Sequence, residues 1–273
     1  MSRRQHVPWK AAGAASEERH SADEVVRETG WVFNNVVGTG LTLADFVSTG
    51  DHETGAYLRA FDLDGEAGAE RTLVEIGSGI GRMTAGLTTR FGRVFACDLD
   101  AAFLERCRET VAQFGVAGRL HTRHVADGRQ LPIADDTADL TFSYITLQHC
   151  QHDDALALIR ESVRVTRQGG AVALNLRTWV ARDVILWPLG KLMRGLWRIP
   201  GIGSWLARRR FATRLGWQAN RLSPSKVLPA VEGLTDIAIF RSPQRPPFAI
   251  AGVADRTFEG INRSHWWLVA RAA

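Results

Sequence analysis

Residues 73–82 read Leu-Val-Glu-Ile-Gly-Ser-Gly-Ile-Gly-Arg, and the reading of this stretch decides the fold. An apolar run of the kind found in buried strands enters a turn with glycines at 77, 79 and 81, and a helical pattern follows. Glycine at alternate positions removes every Cβ from one side of the turn, so a ligand can approach the backbone. The helix start beyond it offers unpaired N–H groups. The turn therefore reads as a ligand-binding turn.

Outward from it the same rhythm continues. Apolar runs at Thr72–Ile76, Arg93–Cys97, Leu120–Val125, Asp139–Ser143 and Ala171–Leu176 alternate with helical patterns near Arg82–Arg90, Ala101–Phe114 and Asp153–Thr166. Gly169 and Gly170 stand as the stop of the last helix. Such alternation predicts an α/β fold, a parallel sheet flanked by helices. Asp98 ends the second strand, 21 residues after Gly77, where a carboxylate can accept both hydroxyls of a ribose. Asp127-Gly128 follows the third strand, where a short acid can reach an adenine amino group. Glycine turns alone recur in unrelated proteins, but three such features at the ends of consecutive strands define a nucleoside site.

The turn also discriminates between nucleosides. A dinucleotide fingerprint has its third glycine three places after the second, whereas Gly81 follows Gly79 by two, and Glu75 sets an anion beside the turn. A diphosphate is repelled there. S-adenosylmethionine carries an ammonium and a sulfonium, both positive, and suits a carboxylate at the mouth of the turn. At this point the chain resembles the class I S-adenosylmethionine-dependent methyltransferases, in the broad group acting on small molecules and lipids (methyltransferase type 11-like). The resemblance covers about residues 68–176, through VEIGSGIGR, FACDLD, VADGRQLP, ADLTFSYITLQH and RVTRQGG. It implies that Gly77, Gly79 and Gly81 wrap the methionine part of the cofactor and that Asp98 holds the ribose. Leu99 would cover the adenine, Asp127 and Gly128 would flank its edge, and Ser143 and Tyr144 would lie beside the methionine part. It further implies a Rossmann-like, doubly wound, seven-stranded sheet whose last strand is antiparallel, a place that the Trp266–Ala270 run suits. A sixth strand candidate is Asp236–Arg241.

Methyl transfer to a hydroxyl benefits from a base, because the neutral oxygen is a poor nucleophile. His149 and His152 lie just past the fourth strand, and His149 is the first candidate for catalysis. With Cys150, Asp153 and Asp154 nearby a metal site is conceivable. The third ligand is unspecified, however, and the acids fit the first turn of a helix, so no metal is expected. A nicotinamide oxidoreductase is disfavoured by Glu75, by the glycine spacing, and because Tyr144 is followed four places on by Gln148 rather than lysine. Methylation of exocyclic base nitrogens is disfavoured too, since an Asn/Asp-Pro-Pro-aromatic motif is replaced by Ser143-Tyr144-Ile145-Thr146. The expected activity is transfer to a small-molecule or lipid-like acceptor, most simply a hydroxyl. RNA methylation and a non-catalytic binding module on the same fold are the alternatives.

The flanks carry the substrate question. Of 273 residues, 45% are apolar and 23% charged, enough for one sizeable core. Residues 1–20 are polar and without period, and read as a flexible leader. Residues 21–273 read as one methyltransferase domain, with a core at 68–176, a basic insertion at 177–234 and C-terminal strands at 235–273. Ser21 and Glu24 have capping-box spacing ahead of an opening helix, and Asp51 is the expected cap of a second helix to Phe61. Net charge is +5, but residues 180–226 alone hold +9 and the rest −4. Five of nine tryptophans (Trp179, Trp187, Trp197, Trp205 and Trp217) fall in the same insertion. Large aromatics beside Lys and Arg suit a membrane interface or a lid over an apolar acceptor, and equally an extra helical layer with its basic face in water. Peripheral membrane contact is expected through residues 184–210. The apolar stretch Ala171–Met193 is interrupted by Arg177, Arg182, Asp183 and Lys191, which speaks against a membrane span. Three scattered cysteines and no secretion signal give a cytoplasmic expectation.

Overall fold

The computed structural model of the chain describes residues 21–33, 41–197, 199, 201–207 and 209–273; the leader expected at 1–20 lies outside them. Eight strands form one sheet: β1 Gly68–Ile76, β2 Phe91–Asp98, β3 Leu120–His124, β4 Ala138–Ser143, β5 Thr166–Arg177, β6 Leu234–Arg241, β7 Ala254–Thr257 and β8 His265–Ala272. Their order is β3-β2-β1-β4-β5-β8-β6-β7. β1 runs parallel to β2 and β4, and β4 parallel to β5. β8 is inserted antiparallel between β5 and β6. The expected strands all form, and the reversed one is the last. The short edge strand β7 is an addition to the seven. Its sequence, Ala-Asp-Arg-Thr, carries no apolar alternation, and it is fastened by Arg241 Nε on Asp255 at 2.5 Å.

Three further elements precede or follow expectation by a physical margin. Helix α1, Ala22–Phe33, starts where Ser21 Oγ accepts the Glu24 N–H at 3.2 Å. Helix α2 begins at Leu43 rather than near Asp51 and runs to Ala60, with Thr42 and Asp45 forming a capping box. Gly50 looks like a breaker in the sequence, yet it is interior to α2. A Cβ there would lie 2.2 Å from the Arg82 carbonyl oxygen, so glycine is what lets α2 approach the ligand-binding turn. Asp51, displaced from the cap, pairs with Arg90 at 2.5 Å. Past α3 (Thr84–Arg90) and α4 (Ala101–Phe114), helix α5 spans His152–Val165. It passes straight into β5, with Thr166 already paired to Ala138. Gly169 and Gly170 therefore make a strand irregularity and do not stop the helix.

The core lies on both faces of the sheet. Trp266 and Trp267 are consecutive in β8 and fully buried on opposite faces, as the two-residue pleat requires. Trp267 packs among Tyr57, Phe61, Phe142 and Tyr144. Between β5 and β6 come α6 Asp183–Leu196, α7 Ile202–Ala207, α8 Arg210–Gly216 and α9 Pro224–Val227. The insertion is tied to the sheet by Asp183, which accepts from Arg177 of β5 and from Arg221, both at 3.0 Å. No helix among the described residues is long and apolar enough to cross a membrane.

Candidate functional site

The strand order reverses its progression at β1, with β2 on one side and β4 on the other. Ligands of open α/β sheets lie beyond the carboxyl ends of the strands at such a switch point. The main cleft sits there, enclosing about 1120 Å³ of non-atom space open to solvent. Gly77, Gly79 and Gly81 all take positive φ, at 83°, 54° and 92°. A Cβ on Gly77 would stand 2.1 Å from Thr146 Oγ1, which fixes glycine where the turn meets the β4 loop. The turn is drawn onto β2 by Gly77 N–H donating to the Cys97 carbonyl at 2.7 Å.

Two acids stand at this turn. Asp98 accepts the Gly79 and Asp100 N–H groups, each at 2.9 Å, yet burial pushes its carboxyl up to about 6. Glu75 accepts the Thr84 hydroxyl at 2.6 Å, and burial pushes it up to about 7. Arg82 lowers Glu75 somewhat, but its guanidinium is committed to Glu53 at 2.8 Å. A buried carboxylate whose ionised form is short of compensation favours a cation or hydroxyl donors as its partner. The two carboxylates fit S-adenosylmethionine, which offers ribose hydroxyls and a positive methionine end to such acceptors.

Glu75, Gly77, Gly79, Asp98, Leu99, Gly128, Tyr144 and His149 all line the cleft. Gly81 closes the turn against Cys107 and Thr110 behind that lining. Two expected contacts fall outside it. Ser143 is wholly buried and donates to the Ile76 carbonyl at 3.0 Å. Asp127 is exposed, its Oδ1 accepting the Arg129 and Gln130 N–H groups at 2.9 and 3.0 Å. These bonds hold its carboxyl below the usual range, and Asp127 serves the turn that presents Gly128. His149 Nδ1 faces the Trp217 carbonyl at 3.0 Å, and its ring packs on the Trp217 indole at 5.1 Å. Burial pushes it down to about 4, so it is neutral at pH 7. His152 lies outside the cleft beside Asp153.

The sequence reading missed one cluster and one strained residue. Tyr144 packs at a tilt against Tyr57, ring centroids 5.1 Å apart, and Arg82 sits 5.7 Å from the Tyr144 ring centroid while bonded to Glu53. Thus α2, distant in sequence from the turn, backs two residues of the cleft lining, Arg82 through Glu53 and Tyr144 through Tyr57. Ile145, a cleft residue, holds φ 48°, a strained value for a β-branched side chain.

A parallel sheet with one reversed strand, a three-glycine turn after β1 and an acid ending β2 define the class I S-adenosylmethionine-dependent methyltransferase architecture. Residues 74–174 match the family described as "Methyltransferase domain". Over these residues the chain is thus similar to S-adenosylmethionine-dependent methyltransferases. Over 156 residues, 57% of this chain and 55% of the relative, it is 31% identical to an uncharacterized methyltransferase of Mycolicibacterium paratuberculosis (strain ATCC BAA-968 / K-10). It is 36% identical to a malonyl-[acyl-carrier protein] O-methyltransferase of Halorhodospira halophila (strain DSM 244 / SL1) over 104 residues, 37% of this chain and 33% of that one. The alignments span about half or less of these relatives' length. Among solved structures, magnesium protoporphyrin IX methyltransferase from Synechocystis PCC 6803 with bound SAH shares the fold. The TM-score is 0.54 at 13% identity, covering 92% of this chain and 98% of that one.

Proposed function

We propose that the protein transfers the methyl group of S-adenosylmethionine to a small-molecule or lipid-like acceptor, with a hydroxyl as the attacked group. The observation that carries this reading is the pair of buried, incompletely compensated carboxylates, Glu75 and Asp98, at a three-glycine turn. S-adenosylmethionine held at the glycine turn, with Glu75 and Asp98 as its carboxylate partners, would supply an electrophilic methyl group to the acceptor oxygen. The chain's part is to hold both in one geometry and to keep water away, and positioning of this kind supplies much of an acceleration. Apolar side chains such as Phe46, Ile80, Met83 and Trp217 line the cleft and serve that exclusion. For the hydroxyl proton we assign His149 as base: among the described cleft residues it is the imidazole, held in place by its Nδ1 on the Trp217 carbonyl. The O-methyltransferase relative supports oxygen as the attacked atom.

The acceptor side is the insertion. Val184, Ile185, Leu189 and Leu192 share an exposed face of α6, and Trp205 and Phe211 are also exposed. Together with the basic residues of 180–226 they support a cytoplasmic protein in peripheral contact with a lipid surface through residues 184–210. Calorimetric titration with S-adenosylmethionine and, separately, NADH, on the wild type and Asp98→Ala, tests the central reading. The expected result is binding of the first ligand alone, weakened at least about tenfold by the substitution. Absence of S-adenosylmethionine binding overturns it.

A further inference from the structure

Helix α6 turns a second face away from its apolar stripe. Trp187, Lys191 and Arg194, at the i, i+4, i+7 spacing of one helix face, line a separate cavity enclosing about 930 Å³ of non-atom space open to solvent. Its other walls include His152 at the start of α5, and Asn220, Arg221 and Lys226. Four of these side chains are permanent cations, and no Asp or Glu is among the described residues that line the cavity. The cavity is walled off from the cofactor cleft. Residues 147–150 and 217–220 form the partition, held by Ala219 N–H on the Gln148 carbonyl at 2.9 Å and by Asn220 Nδ2 on the Leu147 carbonyl at 2.6 Å.

Two of the lining side chains are buried and incompletely bonded. Asn220 is 2% exposed and its Oδ1 has no partner. Arg221 is 7% exposed; Nη2 meets Asp183, Nη1 meets the Asn220 carbonyl at 2.7 Å, and Nε has no partner. Asp183 is shared with Arg177 at 3.0 Å, so this buried trio keeps one positive charge in excess. The Trp187 ring is flanked by two guanidinium groups, Arg194 at 5.2 Å and Arg221 at 5.1 Å from its centroid. Arg194 is further fixed by the Gln218 carbonyl at 2.9 Å. At the rim, His152 Nδ1 faces the exposed carboxylate of Asp153 at 3.1 Å. Holding two guanidinium groups on one indole with two lysines beside them concentrates like charge that an anion relieves.

We propose that this second cavity binds a phosphate group, with Arg194 as a forked donor, Arg221 as a fixed positive charge in the wall, Lys191 and Lys226 as mobile point charges, and the Trp187 and Trp179 rings, 5.6 Å apart, against the adjoining carbon skeleton. A guanidinium fork matches two phosphate oxygens, and tryptophan beside it selects an organic ester over the bare ion. The site does not depend on methyl transfer. The phosphate can belong to a soluble ester or to a phospholipid headgroup whose chains meet the apolar stripe on the same helix, and two arms separate these sources.

The full chain is titrated with glycerol 3-phosphate and with inorganic pyrophosphate, followed by calorimetry and tryptophan fluorescence. It is also floated with phosphatidylcholine vesicles with and without phosphatidic acid. Lys191→Gln/Lys226→Gln changes exposed side chains of the cavity, and Arg182→Gln removes an exposed charge of the same segment outside it. The double variant is expected to weaken binding at least about tenfold while Arg182→Gln changes it less than about twofold. Loss in the soluble arm assigns the ester, loss in the vesicle arm the headgroup, and either supports the site. No binding in both arms, or equal loss in Arg182→Gln, overturns it. S-adenosylmethionine titration of the same samples shows whether such a failure touches the cofactor cleft at all.

Discussion

The two cavities on either side of the 147–150 and 217–220 partition are built from opposite materials. The cofactor cleft has glycines with positive φ, two buried acids and a rigid strand-turn frame. The second cavity has long cationic side chains and indole rings from helices and the loops beside them. A cleft framed by strand ends can hold acids out of water because backbone N–H groups stabilise them, as Gly79 and Asp100 do for Asp98. The second cavity is lined instead by four cationic side chains. The comparison teaches that the sheet fixes one ligand by backbone geometry, and that the insertion meets the other by side chains, which substitute readily.

The sharpest contrast is in stability. Trp267→Ala removes a fully buried ring from the core and is expected to cost about 3–5 kcal/mol in urea unfolding, while Trp205→Ala, 55% exposed on α7, changes it by less than about 0.5 kcal/mol. Vesicle flotation should rank the two the other way, Trp205→Ala reducing association; similar stability losses for both would break the contrast. Next in size is His149→Gln. It should lower kcat on a hydroxyl acceptor about 10²-fold or more while S-adenosylmethionine affinity stays within about threefold. A fall in affinity alone would make His149 a wall of the partition and not a base.

The smallest effect is on pH. Asp98 and Glu75 are raised above ordinary carboxyl values, so the free protein binds more protons than the unfolded chain between about pH 4 and 7, and their contribution to stability falls as pH rises through that window. A cationic ligand favours their ionised forms. Affinity for S-adenosylmethionine should therefore climb severalfold from pH 5.5 to 7.5, with protons released on binding near pH 6, measured by calorimetry in buffers of different ionisation enthalpy.

Much of the cleft was legible because strand, turn and acid repeat at fixed spacing: Gly77, Gly79, Gly81 and Asp98 each follow from a period. Asp127 was not, since an Asp before Gly captures the next N–H groups in a turn as readily as it faces a ligand, and only the fold distinguishes the two uses. Ser143 was lost to the Ile76 carbonyl for the same reason. Glu53 and Tyr57 meet Arg82 and Tyr144 through α2, whose true start at the Thr42–Asp45 capping box was obscured because Asp51 is an equally good cap by sequence. Strand β7 has no apolar alternation to read. The second cavity was half visible, as Trp187, Lys191 and Arg194 share a helix face, but Arg221 and Asn220 join them only in space.

The insertion's two ends are both pinned on one strand: Arg177 pairs with His265, and Leu234 with Ala272, along β8. Residues 178–233 are therefore a closed excursion, and the entropy of closing it grows only logarithmically, by about 0.6 kcal/mol for each doubling of length. Length can therefore change in the exposed parts of the excursion at small entropic cost, while Trp217, Leu222 and Val227, buried against the cleft and the sheet, hold the rest to the frame beneath.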